Sequence, residues 1–234
     1  MQADDQSGDN LMARATATQR KTRIQVENEG RILGAALDAF SAHGFRGATI
    51  DQIAEGAGMS KPNLLYYFRR KQDIYEALIA HLLETWLAPL EHIDDDGDPL
   101  PELQSYIRRK LEMARDFPRE SRLFANEMLQ GAPRIKRLLE TQLKSLVDEK
   151  AKVLQGWMRA GRLNRVDPWH LIFAIWSTTQ HYADFDVQVR AVLGPDRGGD
   201  GRFEDAARFL EALFLDGLRP AAVPAATMPR VREI

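Results

Sequence analysis

From residue 28 onwards, apolar side chains recur at spacings of three and four residues, which is the period of one helix face. The first such face consists of Ile32, Leu33, Ala36, Leu37 and Phe40. Gly44 stands where this helix is expected to end, because glycine is common just past the last helical turn. No stretch alternates apolar and polar residues as a half-buried strand does. The pattern therefore predicts an all-α protein.

Two short helices are predicted directly after the first one. Thr49 can cap the segment "IDQIAEGA", which ends near Gly58, and Ser60 can cap the helix that follows. Pro62 falls in the first turn of that helix, where a missing N–H is harmless. Two short helices joined by a glycine turn and packed on a longer helix form a helix-turn-helix module.

The later apolar patterns predict further helices, several of them amphipathic. Their expected ranges are 72–91, 100–116, 119–130, one long helix from Pro133 to just before Gly161, 168–185 with Asp167 as cap, and 203–218. The loop "GPDRGGDG" separates the last two. The chain is thus divided into a disordered arm (1–27), a helix-turn-helix domain (28–71), a ligand-binding and dimerisation domain (72–219) and a disordered tail (220–234).

The composition is that of an ordinary globular protein, with 44% apolar and 28% charged residues. The chain has no cysteine, which excludes disulfides, thiolate metal sites and thiol nucleophiles. No apolar run approaches the roughly 18 residues of a membrane-spanning helix. The N-terminus "MQADDQSGDN" is acidic and polar and does not resemble a signal peptide. We expect a cytoplasmic protein that does not contact membranes.

Charge is distributed unevenly along the chain. Residues 11–71 carry ten Lys or Arg residues against five acidic ones, whereas residues 72–234 carry 22 basic and 26 acidic residues. This asymmetry favours a polyanion as the partner of the N-terminal part. Chance fluctuation of a few charges is the alternative.

The helix from Ser60 to Phe68 has the side chains expected of a DNA-recognition helix. In a helix-turn-helix, the N-terminal residues of the second helix reach base edges in the major groove. Asparagine can pair with adenine in two ways, and free N–H groups at a helix start can hold a phosphate. The DNA-binding candidates are Thr49, Ser60, Lys61, Asn63, Tyr66, Tyr67 and Lys71. The alternative is an aromatic core with a solvated basic face.

Residues 40–68, "FSAHGFRGATIDQIAEGAGMSKPNLLYYF", resemble the N-terminal DNA-binding domain of the TetR family of transcriptional repressors. The matching positions are Phe40, Gly44, Phe45, Thr49, Ile50, Ile53, Ala54, Ala57, Gly58, Ser60, Leu64, Tyr66 and Phe68, followed by Lys71. The resemblance implies a homodimer whose two recognition helices enter successive major grooves of palindromic double-stranded DNA. Leu65 and Tyr67 depart from the family pattern at positions that would face DNA, so the operator sequence cannot be carried over.

Four later segments resemble one branch of this family, the pyrimidine-utilisation regulators. They are "ETWLAPL" (84–90), "SRLFANEMLQGAP" (121–133), "LVDEKAKVLQGWMRAGRL" (146–163) and "DPWHLIFAIWSTTQHYADF" (167–185). The resemblance implies an effector, uracil or thymine, that releases the protein from DNA. It also implies a regulator of pyrimidine degradation that is not an enzyme and has no cofactor.

The residues of the helix 168–185 fit such an effector. Trp176, Gln180 and Asp184 share one helix face, with Phe173 one turn earlier. The amide of Gln180 offers a donor and an acceptor side by side, which matches the O=C–N–H edge of uracil. Trp176 and Trp86 could enclose a flat ring of this size. We therefore expect ligand binding by these five residues. From the residues alone, core tryptophans and an interhelical hydrogen bond are the alternative.

Other polar groups carry weaker signals. A metal site at His170, His181 and Asp184 is disfavoured, because the last two residues are a common helical pair. No glycine-rich phosphate loop or nucleophile motif is present. Arg122 and Glu127 either lie near the pocket or pair with each other.

The predicted helices also indicate how such a regulator would be assembled. Helices 168–185 and 203–218 are expected to form a four-helix bundle across a two-fold axis. Helix 72–91 carries Trp86 and Lys71 and is expected to link effector and DNA. Arg14, Arg20, Lys21 and Arg23 form either an arm that contacts phosphates or a segment without a role. A repressor for a different effector, or a helical enzyme or adaptor, are the other function classes.

Overall fold

The structure is a computed structural model that describes residues 22–220, and every regular element in that range is a helix. In chain order they are α1 (Arg23–Gly47), α2 (Ile50–Gly56), α3 (Lys61–Tyr67), α4 (Lys71–Glu91), α5 (Pro99–Asp116), α6 (Pro118–Leu129), α7 (Lys136–Leu138), a π-helix (Leu139–Leu143), α8 (Lys144–Arg159), α9 (Pro168–Asp184), α10 (Asp186–Arg197) and α11 (Arg202–Leu218). The predicted all-α fold is confirmed. The tail after residue 220 and most of the predicted arm, with Arg14, Arg20 and Lys21, lie outside the described residues.

Helix α1 begins at Arg23 and not at residue 28 as predicted. The Thr22 hydroxyl accepts a hydrogen bond from the Gln25 amide at 3.3 Å, and the Gln25 side chain accepts one from the Thr22 amide at 2.8 Å. This reciprocal capping box satisfies two amides that a helix start otherwise leaves unpaired. Residues 22–27 therefore form the start of α1 and do not belong to a disordered arm. At the other end, Gly44 has a φ of 65°, which turns the chain as predicted.

The two short helices α2 and α3 have the predicted caps. The Thr49 hydroxyl accepts from the Gln52 amide at 3.2 Å, and the Ser60 hydroxyl accepts from the Asn63 amide at 3.4 Å. Gly58, with a φ of 63°, turns the chain between them. The helix-turn-helix arrangement predicted from glycine and cap positions is present.

Two apolar cores hold the helices together. The first joins α1, α2, α3 and α4 as far as Trp86 with Met113 of α5, Leu123 of α6, and Ala132 and Ile135 from the turn after α6. The second joins α5, α8, α9 and α11. Helix α5 packs against both α9 and α11, and α6 packs against both α1 and α9. Helix α6 therefore connects the first core to α9.

The segment predicted as one long helix is interrupted. It begins at Lys136 and not at Pro133, and a π-helical turn separates α7 from α8. Inside that turn the Thr141 hydroxyl donates to the Arg137 carbonyl at 2.8 Å. Hydroxyls that bond to a carbonyl of the preceding turn compete with the backbone ladder, which accounts for local widening at this position.

A short helix, α10, was not predicted. It covers Asp186–Arg197 and contains a break at Gly194, whose φ is 72°, followed by Pro195. The "GP" dipeptide at the start of "GPDRGGDG" is a strong turn signal. It therefore predicted a loop where the structure has a helix with a break. The remaining predicted helices differ from the observed ones by one or two residues at their ends.

Candidate functional site

The exposed surface of α3 presents most of the DNA-binding candidates. Ser60, Lys61 and Asn63 of its first turn are exposed, and the Tyr66 side chain is 73% exposed. Leu64 on the opposite face is fully buried in the first core. The helix therefore turns a polar and aromatic surface outward.

The Tyr67 side chain is fixed by a hydrogen bond from α1. Its hydroxyl accepts a hydrogen bond from the Asn28 side-chain amide at 2.7 Å, and its ring meets the Tyr66 ring edge-to-face at 5.3 Å. Leu65, like Tyr67, is half-buried against the first core. Since the Tyr67 oxygen already accepts this bond, its own proton is free to point away from Asn28.

Two of the candidates have partners within the chain. The Lys61 ammonium pairs with the Asp51 carboxylate of α2 at 2.9 Å, and both side chains are largely exposed. The Lys71 ammonium donates to the Ala48 carbonyl at 2.7 Å and lies 4.8 Å from the centre of the Phe45 ring. The structure therefore places the charge of Lys71 on the α1–α2 connection.

Trp86 of α4 is buried beside a lysine that was not among the predicted site residues. Lys110 of α5 is 3% exposed; its ammonium lies 4.5 Å from the centre of the Trp86 indole and 3.5 Å from the Trp86 carbonyl oxygen. Burial lowers the pKa of Lys110 to about 7, and the negative charge of Asp184 opposes that decrease. One long hydrogen bond leaves much of the ammonium's three-donor capacity unused.

A signal for Lys110 was present in the sequence. Leu103, Tyr106, Ile107 and Leu111 form the apolar face of α5, and Lys110 stands in the middle of that face. Lysine is rarely buried unless it is paired, so its place in an apolar stripe marks a candidate binding residue.

Asp184 and Trp176 of α9 face α5 at two different levels. The Asp184 carboxylate accepts from the Ser121 hydroxyl at 2.6 Å, and burial raises its pKa while Ser121, Arg122, His181 and Lys110 oppose the increase. The Trp176 indole N–H donates to the Tyr106 hydroxyl at 2.5 Å. Burial raises the pKa of Tyr106.

Gln180 lies on α9 between two residues that face polar groups of α5. Tyr106 and Lys110 are one turn apart on α5, and they face Trp176 and Asp184 respectively. Gln180, half-buried, stands one turn from each of those two residues on α9. On the α9 backbone, Gln180 therefore stands between the residues that face Tyr106 and Lys110.

The structure does not bring all five predicted ligand residues together. Phe173 is 48% exposed, and its ring contacts Trp176 at 5.8 Å and His170 at 6.2 Å on the outer side of α9. In the described range, no ring contact joins Trp86 and Trp176, which belong to the first and second cores. Open cavities of about 620 and 460 Å³ lie against Tyr106 and Trp86 respectively.

Two further expectations concern the surface of the molecule. Between residues 22 and 220, acidic or histidine side chains close enough to share an ion are the exposed Asp94, Asp95 and Asp96; the group does not include His170 or His181. No helix of the described chain is both long and apolar enough to cross a membrane.

Both parts of the chain match families of known proteins. Residues 32–78 match the family model of bacterial regulatory proteins of the TetR family, and residues 79–221 match that of the C-terminal region of YcdC-like proteins. Two curated relatives, the HTH-type transcriptional regulators RutR of Escherichia coli (strain K12) and of Shigella flexneri, are each 46% identical over 203 residues. These residues are 87% of this chain and 96% of each relative.

Solved structures share the fold at lower identity. The ketosteroid transcriptional regulator KstR2 of Mycobacterium tuberculosis is 21% identical with a TM-score of 0.61, over 82% of this chain and 95% of that one. AibR, solved with isovaleryl coenzyme A and operator DNA, is 17% identical with a TM-score of 0.60, over 80% of this chain and 97% of that one. At this identity the likeness shows the fold alone.

Proposed function

The chain belongs to the TetR family of bacterial transcriptional regulators, and from this premise we propose that it is a dimeric repressor that uracil or thymine releases from palindromic operator DNA. Its relatives are regulators and not enzymes. In this proposal the repressed genes serve pyrimidine degradation and nitrogen use, as the resemblance of the C-terminal segments to pyrimidine-utilisation regulators implies.

The buried ammonium of Lys110 is the observation that carries the effector proposal. A charge in an apolar interior is costly unless hydrogen bonds compensate it, and the structure provides Lys110 with one long bond and an aromatic ring. A uracil carbonyl would accept from this ammonium. The face of the Trp86 indole would lie against a flat heterocycle beside it.

The level of Gln180 supports the same ligand. Uracil presents adjacent C=O and N–H groups, and a primary amide can bond to both at once. Gln180 would bond to one edge of the uracil ring and Lys110 to another, so that hydrogen bonds would recognise two edges of the ligand. Trp176, fixed by its bond to Tyr106, would form an apolar wall, and Asp184 would hold Lys110 by charge.

The DNA-binding part of the proposal rests on the exposed residues of α3. Ser60, Lys61, Asn63 and Tyr66 point outward from a helix whose other face is buried. We assign Asn63 to base contacts and Lys61 and the tyrosine hydroxyls to phosphates. Thr49 and Lys71 act on the α1–α2 connection and orient α2 and α3.

The dimer part rests on exposed apolar residues of α9 and α11. Phe173 is 48%, Phe209 62% and Leu213 55% exposed, and both helices pack with their other faces on α5. Large exposed apolar side chains on adjacent helices are typical of an interface. We assign Phe173 to this interface together with the residues of α11.

A thermal-shift panel tests the effector class. Uracil and thymine are expected to raise the melting temperature of the purified protein, whereas cytosine, whose edge carries an amino group in place of one carbonyl, is expected to have a smaller effect. Stabilisation by an unrelated lipophilic compound, with none from uracil or thymine, would assign the fold to a repressor with another effector.

A further inference from the structure

Glu127 of α6 is a fully buried carboxylate with three hydrogen bonds. It accepts from the Tyr75 hydroxyl at 3.0 Å, from the Arg134 backbone amide at 3.0 Å and from the Arg134 guanidinium at 2.9 Å. Glu127 is 0% exposed and the side chain of Arg134 is 17% exposed. The sequence left open whether Glu127 pairs with Arg122. In the structure its partner is Arg134.

The turn after α6 fixes the position of Arg134. Gly131 has a φ of 85°, and Ala132, the one non-glycine residue with a positive φ between residues 22 and 220, has a φ of 52°. Such a conformation is uncommon for alanine and persists only where its surroundings hold it in place. Here the Ala132 amide donates to the Glu127 carbonyl at 2.9 Å, and Ala132 is buried in the first core.

The guanidinium of Arg134 reaches from this turn to the end of α1. It lies 3.9 Å from the centre of the Phe45 ring and 5.1 Å from that of Tyr75. The Lys71 ammonium lies 4.8 Å from the same Phe45 ring and donates to the Ala48 carbonyl. Cations at this distance are attracted to the face of an aromatic ring. We call Phe45, Arg134, Lys71 and Glu127 the Phe45 clamp.

We propose that Arg134 is a positioning residue that sets the orientation of the helix-turn-helix by holding Phe45, with Glu127 keeping the guanidinium in place. Phe45 directly follows the Gly44 turn, and Lys71 holds the carbonyl of Ala48 just before α2. The clamp therefore contacts the chain on both sides of the short α1–α2 connection, at Phe45 and at Ala48. Through Glu127 it is also attached to α6.

Helix α6 also touches the proposed effector residues. The Ser121 hydroxyl donates to Asp184, and the Arg122 guanidinium donates to the Ala183 carbonyl at 3.3 Å. If the effector proposal holds, on which this step rests, a ligand that moves Asp184 shifts α6 and thus the clamp. Helix α4, expected from the sequence to be the link, contributes Tyr75 and Lys71 to the same junction.

Distances between two spin labels on one chain test the clamp. Because the sequence has no cysteine, Glu55→Cys on α2 and Lys152→Cys on α8 provide two labelling sites; unlabelled protein in excess leaves one labelled chain per dimer. The double substitution Arg134→Met with Glu127→Gln removes both charges together, so no buried charge is left unpaired. We expect it to broaden the distance distribution at least twofold, and Arg137→Met, an exposed control three residues away, to leave it unchanged.

Phe45 provides a second pair of variants. Phe45→Leu keeps an apolar side chain without a ring and is expected to broaden the distribution, whereas Phe45→Tyr keeps the ring and is expected to retain the wild-type width. Circular dichroism checks folding, and this pair decides the question if the double variant is unfolded. A wild-type width in Phe45→Leu or in the folded double variant would overturn the proposal.

Uracil titration by calorimetry separates this proposal from the effector proposal. We expect the clamp variants still to bind uracil, since no clamp residue contacts the effector residues directly. A wild-type protein that does not bind uracil would refute the effector, while the label widths measured without ligand still decide the clamp.

Discussion

Lys110 is the residue on which the effector site depends most. Its ammonium is buried between Trp86 of α4 and the charge of Asp184 on α9. A lysine in this position has a cost in stability that a ligand can offset by accepting a hydrogen bond. This combination of cost and unused donors is typical of a binding residue.

The substitution Lys110→Met tests this role. Met keeps the length and apolar character of the side chain and removes the charged donor, so uracil affinity is expected to fall by about 10- to 150-fold, the equivalent of one hydrogen bond to a charged group at about 1.5–3 kcal/mol. Calorimetric titration measures the change. Lys152→Met, an exposed lysine on α8, is the control, and equal affinities in the two variants would contradict the assignment.

The same residue gives stability a defined pH dependence. Lysine has a pKa of 10.5 when unperturbed and about 7 in the folded chain, so between these values the unfolded state binds more protons. The free energy of unfolding of the wild type, relative to Lys110→Met, therefore rises with pH from 7 to 9, by up to about 1.4 kcal/mol per unit. Urea unfolding of both proteins at pH 7, 8 and 9 measures the difference. A constant difference would show that Lys110 does not titrate in this window.

Helix α1 fixes the position of Tyr67 on the exposed face of α3. The Asn28 amide donates to the Tyr67 hydroxyl and leaves the phenolic proton free, and we propose that this proton bonds to a DNA phosphate. Asn28→Ala and Tyr67→Phe are each expected to weaken DNA binding about two- to tenfold. Because Tyr67→Phe already removes the acceptor of the Asn28 bond, the double variant should bind about as well as Tyr67→Phe alone. Fully additive losses, measured by fluorescence anisotropy on a selected DNA fragment, would argue against coupling between the two side chains.

Helices α9 and α11 are expected to form the dimer. Phe209→Asp with Leu213→Asp places two carboxylates in the middle of the proposed interface, where unpaired charge is strongly unfavourable. Sedimentation equilibrium should show monomers for this variant and dimers for the wild type. Val192→Asp, at an 80% exposed position on α10, serves as the control and should remain dimeric. A dimeric Phe209→Asp/Leu213→Asp protein would place the interface elsewhere.

The sequence predicted elements better than the contacts between them. Thr49, Ser60 and Asp167 mark helix starts because capping is local chemistry, and all three cap as expected. Helix α10 was missed because its turn signals at Gly194 and Pro195 lie inside the helix span. The contact of Trp86 with Lys110 was not predicted, since the approach of α4 to α5 is set by packing of distant segments.

Helix α4 joins the two cores of the molecule, and α6 joins the first core to α9. Helix α4 runs from Lys71 at the α1–α2 connection to Leu90 in the second core. Helix α6 runs from Ser121 at Asp184 to Glu127 at the Phe45 clamp. Through these two helices, the proposed ligand at α9 can bias the position of α3 without any contact to DNA.

The proposed regulator couples pyrimidine binding to DNA binding. Its most direct test is the Kd for a DNA fragment that the wild-type protein selects from a random-sequence library, measured by fluorescence anisotropy from zero to saturating uracil at fixed salt. Couplings of this kind are typically about 1–3 kcal/mol, so the Kd is expected to rise by about 5- to 150-fold. A Kd that stays constant across the whole uracil range would show that uracil binding and DNA binding are not coupled.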